Sequence, residues 1–171
     1  VIYTSGTTGM PKGVLLRHNT VVNYCEYNLR EFGIDENDHI MQFAPFTFST
    51  AIYEIVTTLI CGAKLCLVKE EAVMDPRPFN MCMAAVQATI LLAPPEYAGY
   101  IVPGPHLRVI ETGASECKPE LSAKIVAKTR HVNAYGLTEG SIVTVWKGTA
   151  GERPKRIPIC SPVPNPQVHV L

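Results

Sequence analysis

The stretch TSGTTGMPKG, Thr4 to Gly13, compresses three glycines, three threonines, a serine and a lysine into ten residues. Glycine lets successive backbone N–H groups converge on an anion, hydroxyls add donors, and lysine adds a point charge. Thr4, Ser5, Gly6, Thr7, Thr8, Gly9 and Lys12 therefore have the composition of a phosphate grip. Solvated loops also use Gly, Thr, Ser and Pro, but hydroxyls, glycines and a cation together favour the phosphate reading. The loop is not a Walker A sequence, because Gly6 and Gly9 stand too close and Lys12 precedes Gly13. The preceding VIY (Val1 to Tyr3) is β-branched and aromatic, so the loop is expected to leave a buried strand.

Outward from this loop, helix-like and strand-like patterns alternate. Val22, Cys25, Leu29 and Phe32 repeat at helical spacing, and HIMQF (His39 to Phe43) reads as a strand. Ile52, Ile55, Val56 and Leu59 mark a second helix, ended by Gly62. AKLCLV (Ala63 to Val68) reads as a buried strand, Pro78 to Gln87 as a helix, and ATILLA (Ala88 to Ala93) as a strand stopped by two prolines. LRVIE (Leu107 to Glu111), a helix from about Pro119, and the short strands HVNAYG and SIVTVW follow. The proline-rich segment from Gly148 to Pro166 reads as an exposed connection. Such alternation predicts an α/β fold with a largely parallel sheet flanked by helices, its ligand loops at the carboxyl ends of the strands.

Bulk composition narrows the classes. Of 171 residues, 47% are apolar and 18% charged, which is a globular balance. Fifteen basic residues offset fifteen acidic ones, so no net field draws in nucleic acid or a membrane surface. The six cysteines show no CxxC pair and no zinc spacing, and most sit in apolar surroundings. They read as small buried hydrophobes in a reducing, cytoplasmic compartment. The chain opens inside a strand without methionine and stops in QVHVL (Gln167 to Leu171), itself strand-like. It is accordingly read as an internal piece of one larger domain.

A second polar cluster, NAYGLTEG (Asn133 to Gly140), follows a short strand. Tyr135 could stack on a base, Thr138 could donate to a phosphate oxygen, and Glu139 could hold Mg²⁺, a cation that prefers oxygen ligands. Paired with the first loop, it points to a nucleotide site assembled from separated segments.

These two segments resemble the signature loops of the adenylate-forming superfamily of acyl-CoA synthetases, luciferases and peptide-synthetase adenylation domains. Two more stretches are similar to the nonribosomal peptide synthetase branch. They are QFAPFTFSTAIYEIVTTLICGAKL, its substrate-pocket segment, and IPICSPVPNPQVHVL, a late conserved segment. The resemblance runs through nearly the whole chain and implies part of that family's large N-terminal subdomain. It also implies a chemistry: a carboxylate attacks the α-phosphate of ATP, pyrophosphate leaves, and the acyl group passes to the phosphopantetheine thiol of a carrier domain.

By this resemblance Thr4, Ser5, Thr7, Thr8 and Lys12 hold the β- and γ-phosphates. Tyr135 stacks on adenine, Thr138 touches the α-phosphate, Glu139 binds Mg²⁺, and Gly113 and Ala114 pass beside the adenine. Asn133, Ala134 and Gly136 frame the same segment. The substrate pocket falls to Phe48, Ser49, Thr50, Tyr53, Leu92, Ile110, Thr112, Ala134, Ile142 and Val143. None of these is charged, which implies an uncharged, mostly apolar acid.

The departures are informative. Domains of this kind that activate α-amino acids carry aspartate where this chain has Ser49, and that aspartate pairs with the substrate's ammonium. An unpaired buried ammonium costs several kcal/mol, so Ser49 points to a hydroxy, keto or aryl acid. Serine could equally cap the helix that follows. Glu111 is the one nearby carboxylate, but strand alternation turns it away from Ile110 and Thr112. Leu137 and Cys160-Ser161 replace the family's usual proline and Gly-Arg. The family's ribose-binding aspartate, catalytic lysine and mobile C-terminal subdomain would lie beyond Leu171, so this piece alone is expected to be inactive. A stand-alone acyl- or aryl-CoA ligase and a degenerate nucleotide-binding module are the competing readings.

Overall fold

The computed structural model describes residues 1–5, 9–152, 154–159 and 161–169. The chain opens with β1 (Ile2–Thr4) and β2 (Lys12–Val14), which pair antiparallel as a sheet of their own. Val1 and Tyr3 are largely exposed, so the expected buried strand before the glycine loop is instead one arm of an open hairpin.

The main sheet has seven strands. β3 (His39–Gln42), β4 (Lys64–Leu67), β5 (Ile90–Ala93), β6 (Val109–Thr112) and β7 (Arg130–Leu137) run parallel. β8 (Ser141–Gly148) and β9 (Ser161–Pro162) add antiparallel, in the order β4-β3-β5-β6-β7-β8-β9. The helices are α1 (His18–Phe32), α2 (Ser49–Cys61), the short α3 (Glu70–Val73), α4 (Pro76–Ala85), the short α5 (Pro95–Ala98) and α6 (Pro119–Val126).

Alternate residues of the central strands feed two cores, as the twofold period of a strand requires. Ile40, Ile90, Leu92, Val109 and Val132 pack with Tyr24 and Phe32 of α1 and Tyr53 of α2. Met41, Leu91 and Ile110 pack on the other face with Phe79 and Met83 of α4 and Ile125 of α6. This is the α/β class expected, with both sheet faces covered.

Several elements differ in detail. α1 buries Val21, Tyr24, Cys25, Asn28 and Phe32, a face rotated from the one expected, and Val22 is exposed. α2 buries Ala51, Tyr53, Glu54, Thr57 and Thr58, whereas Leu59 is 69% exposed. Its inner face is polar because Glu54 accepts the backbone N–H groups of Phe43 and Ala44, at 3.2 Å each, and so fixes the β3–α2 connection. β4 is an edge strand and only Cys66 on it is buried. α4 starts at Pro76, where Asp75 caps it by accepting from Arg77 N at 2.9 Å. The two segments HVNAYG and SIVTVW form one antiparallel hairpin. Within the proline-rich connection, β9 joins the sheet and Val163 is buried. Gln167 to His169 form no strand, and Val170 and Leu171 lie outside the described residues.

Opposite the loop end of the sheet, Arg108 ties four elements together. Its Nε donates to Asp38 Oδ1 at 2.8 Å, its Nη2 to Gly33 O at 3.1 Å and to Asp38 Oδ2, and its Nη1 to Phe32 O. Burial alone would raise the Asp38 carboxyl. The Arg108 guanidinium, the Thr89 hydroxyl and the Asp35 N–H outweigh it and hold the group below its usual value. A depressed carboxyl stabilises the fold above its unfolded pKa, and that contribution fades as pH falls through the lower folded value. Arg108→Ala should cost on the order of 2 kcal/mol near neutral pH, the worth of a charge-assisted hydrogen bond. It should also flatten the acid limb of stability below pH ~4. Urea unfolding midpoints across pH for both proteins check this, and equal acid limbs would refute it.

Candidate functional site

The seven-stranded sheet sends its β3–α2, β5–α5 and β6–α6 connections to the carboxyl ends of parallel strands, and a cavity of about 160 Å³ lies there. Phe43 and Pro45 approach it from the β3–α2 connection, Thr50 and Tyr53 from α2, and Leu92 and Pro94 from the end of β5. Glu111, Thr112, Gly113 and Ala114 line it from β6 and beyond, and Ala134 and Ile142 from β7 and β8. Two local geometries shape its rim. A Cβ at Gly113 would sit 2.9 Å from Ala134 O, so only glycine lets β6 and β7 come this close. Ala114, next along, holds φ at 69°, a left-handed backbone that costs a non-glycine residue about 1 kcal/mol.

Of the expected pocket residues, Phe48, Thr50, Tyr53, Leu92, Thr112, Ala134 and Ile142 line this one cavity, together with Gly113 and Ala114. Ile110 does not. It faces the opposite core, because β6 places Val109 and Glu111 toward α1 and α2, and Ile110 toward α4 and α6. At the end of β6 both Glu111 and Thr112 reach the cavity, so Thr112 lies where expected and Glu111 joins it. Ser49 and Val143 are also absent from the lining. Ser49 is the first residue of α2, and the cap position belongs to Phe48, which makes no side-chain cap bond. The capping role considered for Ser49 is therefore not its role.

The strands flanking the glycine loop pair antiparallel, and the second cluster forms a hairpin. In the first, Thr4 lies directly opposite Lys12, which sets hydroxyl and cation side by side across β1 and β2. Ser5 is exposed, Gly9 has φ 82°, and Gly6, Thr7 and Thr8 lie outside the described residues. In the second, Asn133 and Ala134 are buried and Tyr135 is 42% exposed. A Cβ at Gly136 would fall 2.2 Å from Ser141 O, at a bulge where Ser141 itself has φ 64°. Beyond it Gly140 N donates to Leu137 O at 3.1 Å, closing the turn despite the missing proline and leaving Glu139 exposed at its tip. Among the described residues no three His, Cys, Asp or Glu cluster as a metal site.

Three buried polar groups were not assigned a role from sequence. Glu111, 6% exposed, accepts a 2.5 Å hydrogen bond at Oε1 from Tyr24 Oη, and its Oε2 has no partner. Burial pushes its carboxyl up to about 7, and the Tyr24 bond only partly offsets this. Glu54 is pushed up to about 8, chiefly by burial, against the two backbone donors that hold it. His131 is fully buried between Thr112 Oγ1 at 2.9 Å and Ser122 Oγ at 2.8 Å, and burial brings it down to about 4, so it is neutral. Thr112 also donates to Asn133 Oδ1 at 3.0 Å, which links the cavity wall to the second hairpin. Tyr53, packed edge-on against Tyr24, donates to Ser141 Oγ at 2.7 Å. A carboxylate inside the apolar run VIET is the sequence signal that marks Glu111, since such burial is costly.

With this geometry in hand, the comparisons are consistent. A family model described as AMP-binding enzyme matches residues 1–171. Tyrocidine synthase 1 of Brevibacillus parabrevis is 33% identical over all of this chain, which covers 16% of that protein. Malpinin synthetase of Mortierella alpina is likewise 33% identical over all of this chain, here 2% of the relative's length. The chain thus spans a small part of the curated relatives it matches. Among solved structures, the Vibrio cholerae adenylation domain AlmE in complex with glycyl-adenosine-5'-phosphate superposes with a TM-score of 0.85 at 25% identity, covering 95% of this chain and 32% of that one.

The Glu111 carboxyl gives a pH signature of stability. Unfolded, it titrates near ~4.3, whereas in the fold it titrates near 7. Between these values the folded state keeps a proton that the unfolded state has lost, so its contribution falls as pH rises. Glu111→Gln should therefore gain on the parent with rising pH, by on the order of 3 kcal/mol at pH ~8 and by little below pH ~4. Denaturant unfolding of both proteins across this range measures it. A difference independent of pH would show that Glu111 titrates normally.

Proposed function

The chain belongs to the AMP-binding enzyme family, an adenylate-forming ligase family with peptide-synthetase adenylation domains among its members, and from that premise we propose how its own site works. It forms the acid- and nucleotide-gripping core of a domain that joins a carboxylic acid to AMP. A carboxylate oxygen of the acid attacks the α-phosphorus of ATP, the bond to the leaving group breaks, and pyrophosphate departs. In the longer protein the acyl group then passes to the phosphopantetheine thiol of a carrier domain, releasing AMP.

The observation that carries this reading is the cavity at the strand ends, bounded by Gly113 and Ala114 on one side and by the β7–β8 hairpin on the other. An acid seated there presents its carboxylate toward the segment that bears Thr138 and Glu139. Thr138 donates to the α-phosphate, and Tyr135, half exposed beside the cavity wall, offers a ring face to adenine. Thr4, Ser5 and Lys12, with Gly6, Thr7, Thr8 and Gly9, grip the β- and γ-phosphates, and the pairing of Thr4 with Lys12 favours that use. Glu139 would hold Mg²⁺, since its exposed carboxylate is a hard oxygen donor of the kind that cation prefers, and the ion would supply positive charge against the phosphate oxygens. The protein's work is positioning and charge stabilisation.

The acid lacks an α-ammonium. Ser49, at the first turn of α2 between the lining residues Phe48 and Thr50, offers no counter-charge there, and the one carboxyl on the lining, Glu111, comes from β6 on another wall. Hydroxy, keto and aryl acids meet no such cost.

Acid-dependent exchange of pyrophosphate into ATP, in the full-length protein or with this chain grafted into a homologous domain, is the test. Matched α-hydroxy, α-keto and α-amino acids sharing each side chain are compared. The first two should support exchange at least ~10-fold better than the third, as expected for an unpaired buried charge. Thr138→Ala and Glu139→Gln should each lower kcat by about 10²-fold, the usual scale for a transition-state charge contact. Preferred exchange with the α-amino acids would overturn the substrate reading. Exchange with no acid, in a protein that binds ATP, would overturn adenylation itself.

A further inference from the structure

Glu111 has no part in the reaction as just derived, yet it sits where a substrate side chain would end. It is the only ionisable carboxyl among the residues that line the cavity. Thr112, Gly113 and Ala114 follow it along the chain toward the cavity mouth, so Glu111 is the innermost contribution of β6. On the facing helix Tyr53 is likewise one turn inside Thr50. Glu111, Tyr53 and Leu92 also line a second, smaller cavity beneath, so these three form the floor. Leu92 and Glu111 are direct cross-strand partners, which fixes the carboxyl's place on that floor.

The chemistry of this floor is one-sided. Glu111 Oε1 is occupied by Tyr24 Oη at 2.5 Å, and Oε2 is buried with no partner. Tyr24 is held by α1 and by edge-on packing against Tyr53, so it keeps the carboxyl oriented instead of neutralising it. No cation pairs with Glu111 among the described residues: the ion pairs of the fold involve Glu26, Glu31, Asp38 and Asp75. Asn28 Oδ1, on the lining of the smaller cavity, is a second buried acceptor without a donor. A floor with unmet acceptors costs free energy until something donates to it.

We infer that Glu111 reads the far end of the substrate, and that the acid taken by this site carries an N–H or O–H donor at the tip of its side chain. This rests on the adenylation reading and narrows its substrate from an apolar acid to one with a polar terminus. Ser49, between the lining residues Phe48 and Thr50, spares the α-position a charge partner, while Glu111 at the floor supplies an acceptor deeper in. Glu111 is thus a specificity residue that touches the substrate away from the reacting atoms. Sites built to hydrogen-bond a polar group discriminate strongly against analogues that lack it, because their own buried groups are then left unpaired. Burial without a second donor is what raises the Glu111 carboxyl, and a substrate donor at Oε2 would bring it down.

The test uses the full-length protein, or this chain grafted into a homologous domain, and two isosteric series in pyrophosphate exchange. One is short, the α-hydroxy acids whose side chains end in hydroxyl, ammonium or methyl after two methylenes. The other is aromatic, with hydroxyl, amino or methyl at the para position. Hydroxyl- or amine-tipped acids should exceed their methyl isosteres at least ~10-fold in kcat/KM, most of it in KM, since the contact is equally present before the transition state. Glu111→Leu should abolish or reverse that order, and Glu111→Gln should keep the hydroxyl preference and lose any preference for ammonium. The substrate series in the parent protein decides the matter even where a variant folds poorly. Methyl-tipped acids favoured in the parent, or an order unchanged in Glu111→Leu, would overturn the role of Glu111 while adenylation stands. An α-ammonium preference that vanishes in Glu111→Leu would overturn its placement at the side-chain tip. Absence of exchange with every acid would overturn both readings together.

Discussion

A parallel pair of strands cannot be closed by a tight turn, and this constraint organises the molecule. Each crossover must climb back over the sheet through a helix, so β3, β5 and β6 all release their connections at one end. Side chains that are far apart in sequence, from Phe43 to Ile142, are thereby gathered around one cavity. The far end of the same strands is closed by the opposite kind of interaction, a charged clasp of Arg108, Asp38 and Thr89. One end is fixed by ionic hydrogen bonds and the other is left open to bind.

The turnover from parallel to antiparallel pairing at β7–β8 is the second organising feature. Gly136 has no room for a Cβ because Ser141 folds back against it, so the strand bulges and the turn carrying Thr138 and Glu139 is held out from the sheet. Ser141 in turn accepts from Tyr53. The turn carrying Thr138 and Glu139 and the helix wall of the cavity are thus mechanically joined through one hydroxyl pair. Thr112, bonded to Asn133, makes a second such link from the opposite wall.

Much of this was legible in the sequence. Central strands such as ATILLA read plainly because burial on both faces makes them continuous apolar runs bounded by proline. The two hydroxyl- and glycine-rich segments were legible because their chemistry is local. What failed were inferences about which face a residue presents. On α1 and α2 most of the expected residues pack into the core, but Val22 and Leu59 do not, and the polar members of the buried stripes, Asn28, Glu54, Thr57 and Thr58, were missed because hydrophobic periodicity cannot see a polar interior. Ile110 was placed in the cavity and Glu111 outside it by the same blindness. Alternation fixes that two neighbours oppose each other, but not which of them looks inward when both sheet faces are covered.

Some of the places where local rules break down lie at or next to the cavity. Ala114 takes a left-handed backbone without being glycine, Ser141 does the same, and Glu111 and Glu54 are carboxyls buried without a cation. Each is unfavourable alone, and three of the four are held by an interaction from a different element: Tyr24 for Glu111, the Phe43 and Ala44 N–H groups for Glu54, Tyr53 for Ser141. Such local conflicts gather where function constrains a sequence more tightly than stability does. Glu54 and Glu111 show the distinction within one chemical type. Both are raised by burial, but the oxygens of Glu54 are met by backbone donors and serve the architecture, whereas Glu111, on the cavity lining, keeps one buried oxygen unmet. A buried acceptor satisfied by its own chain is structure, and one left unsatisfied on a cavity floor is a contact the protein reserves for something else.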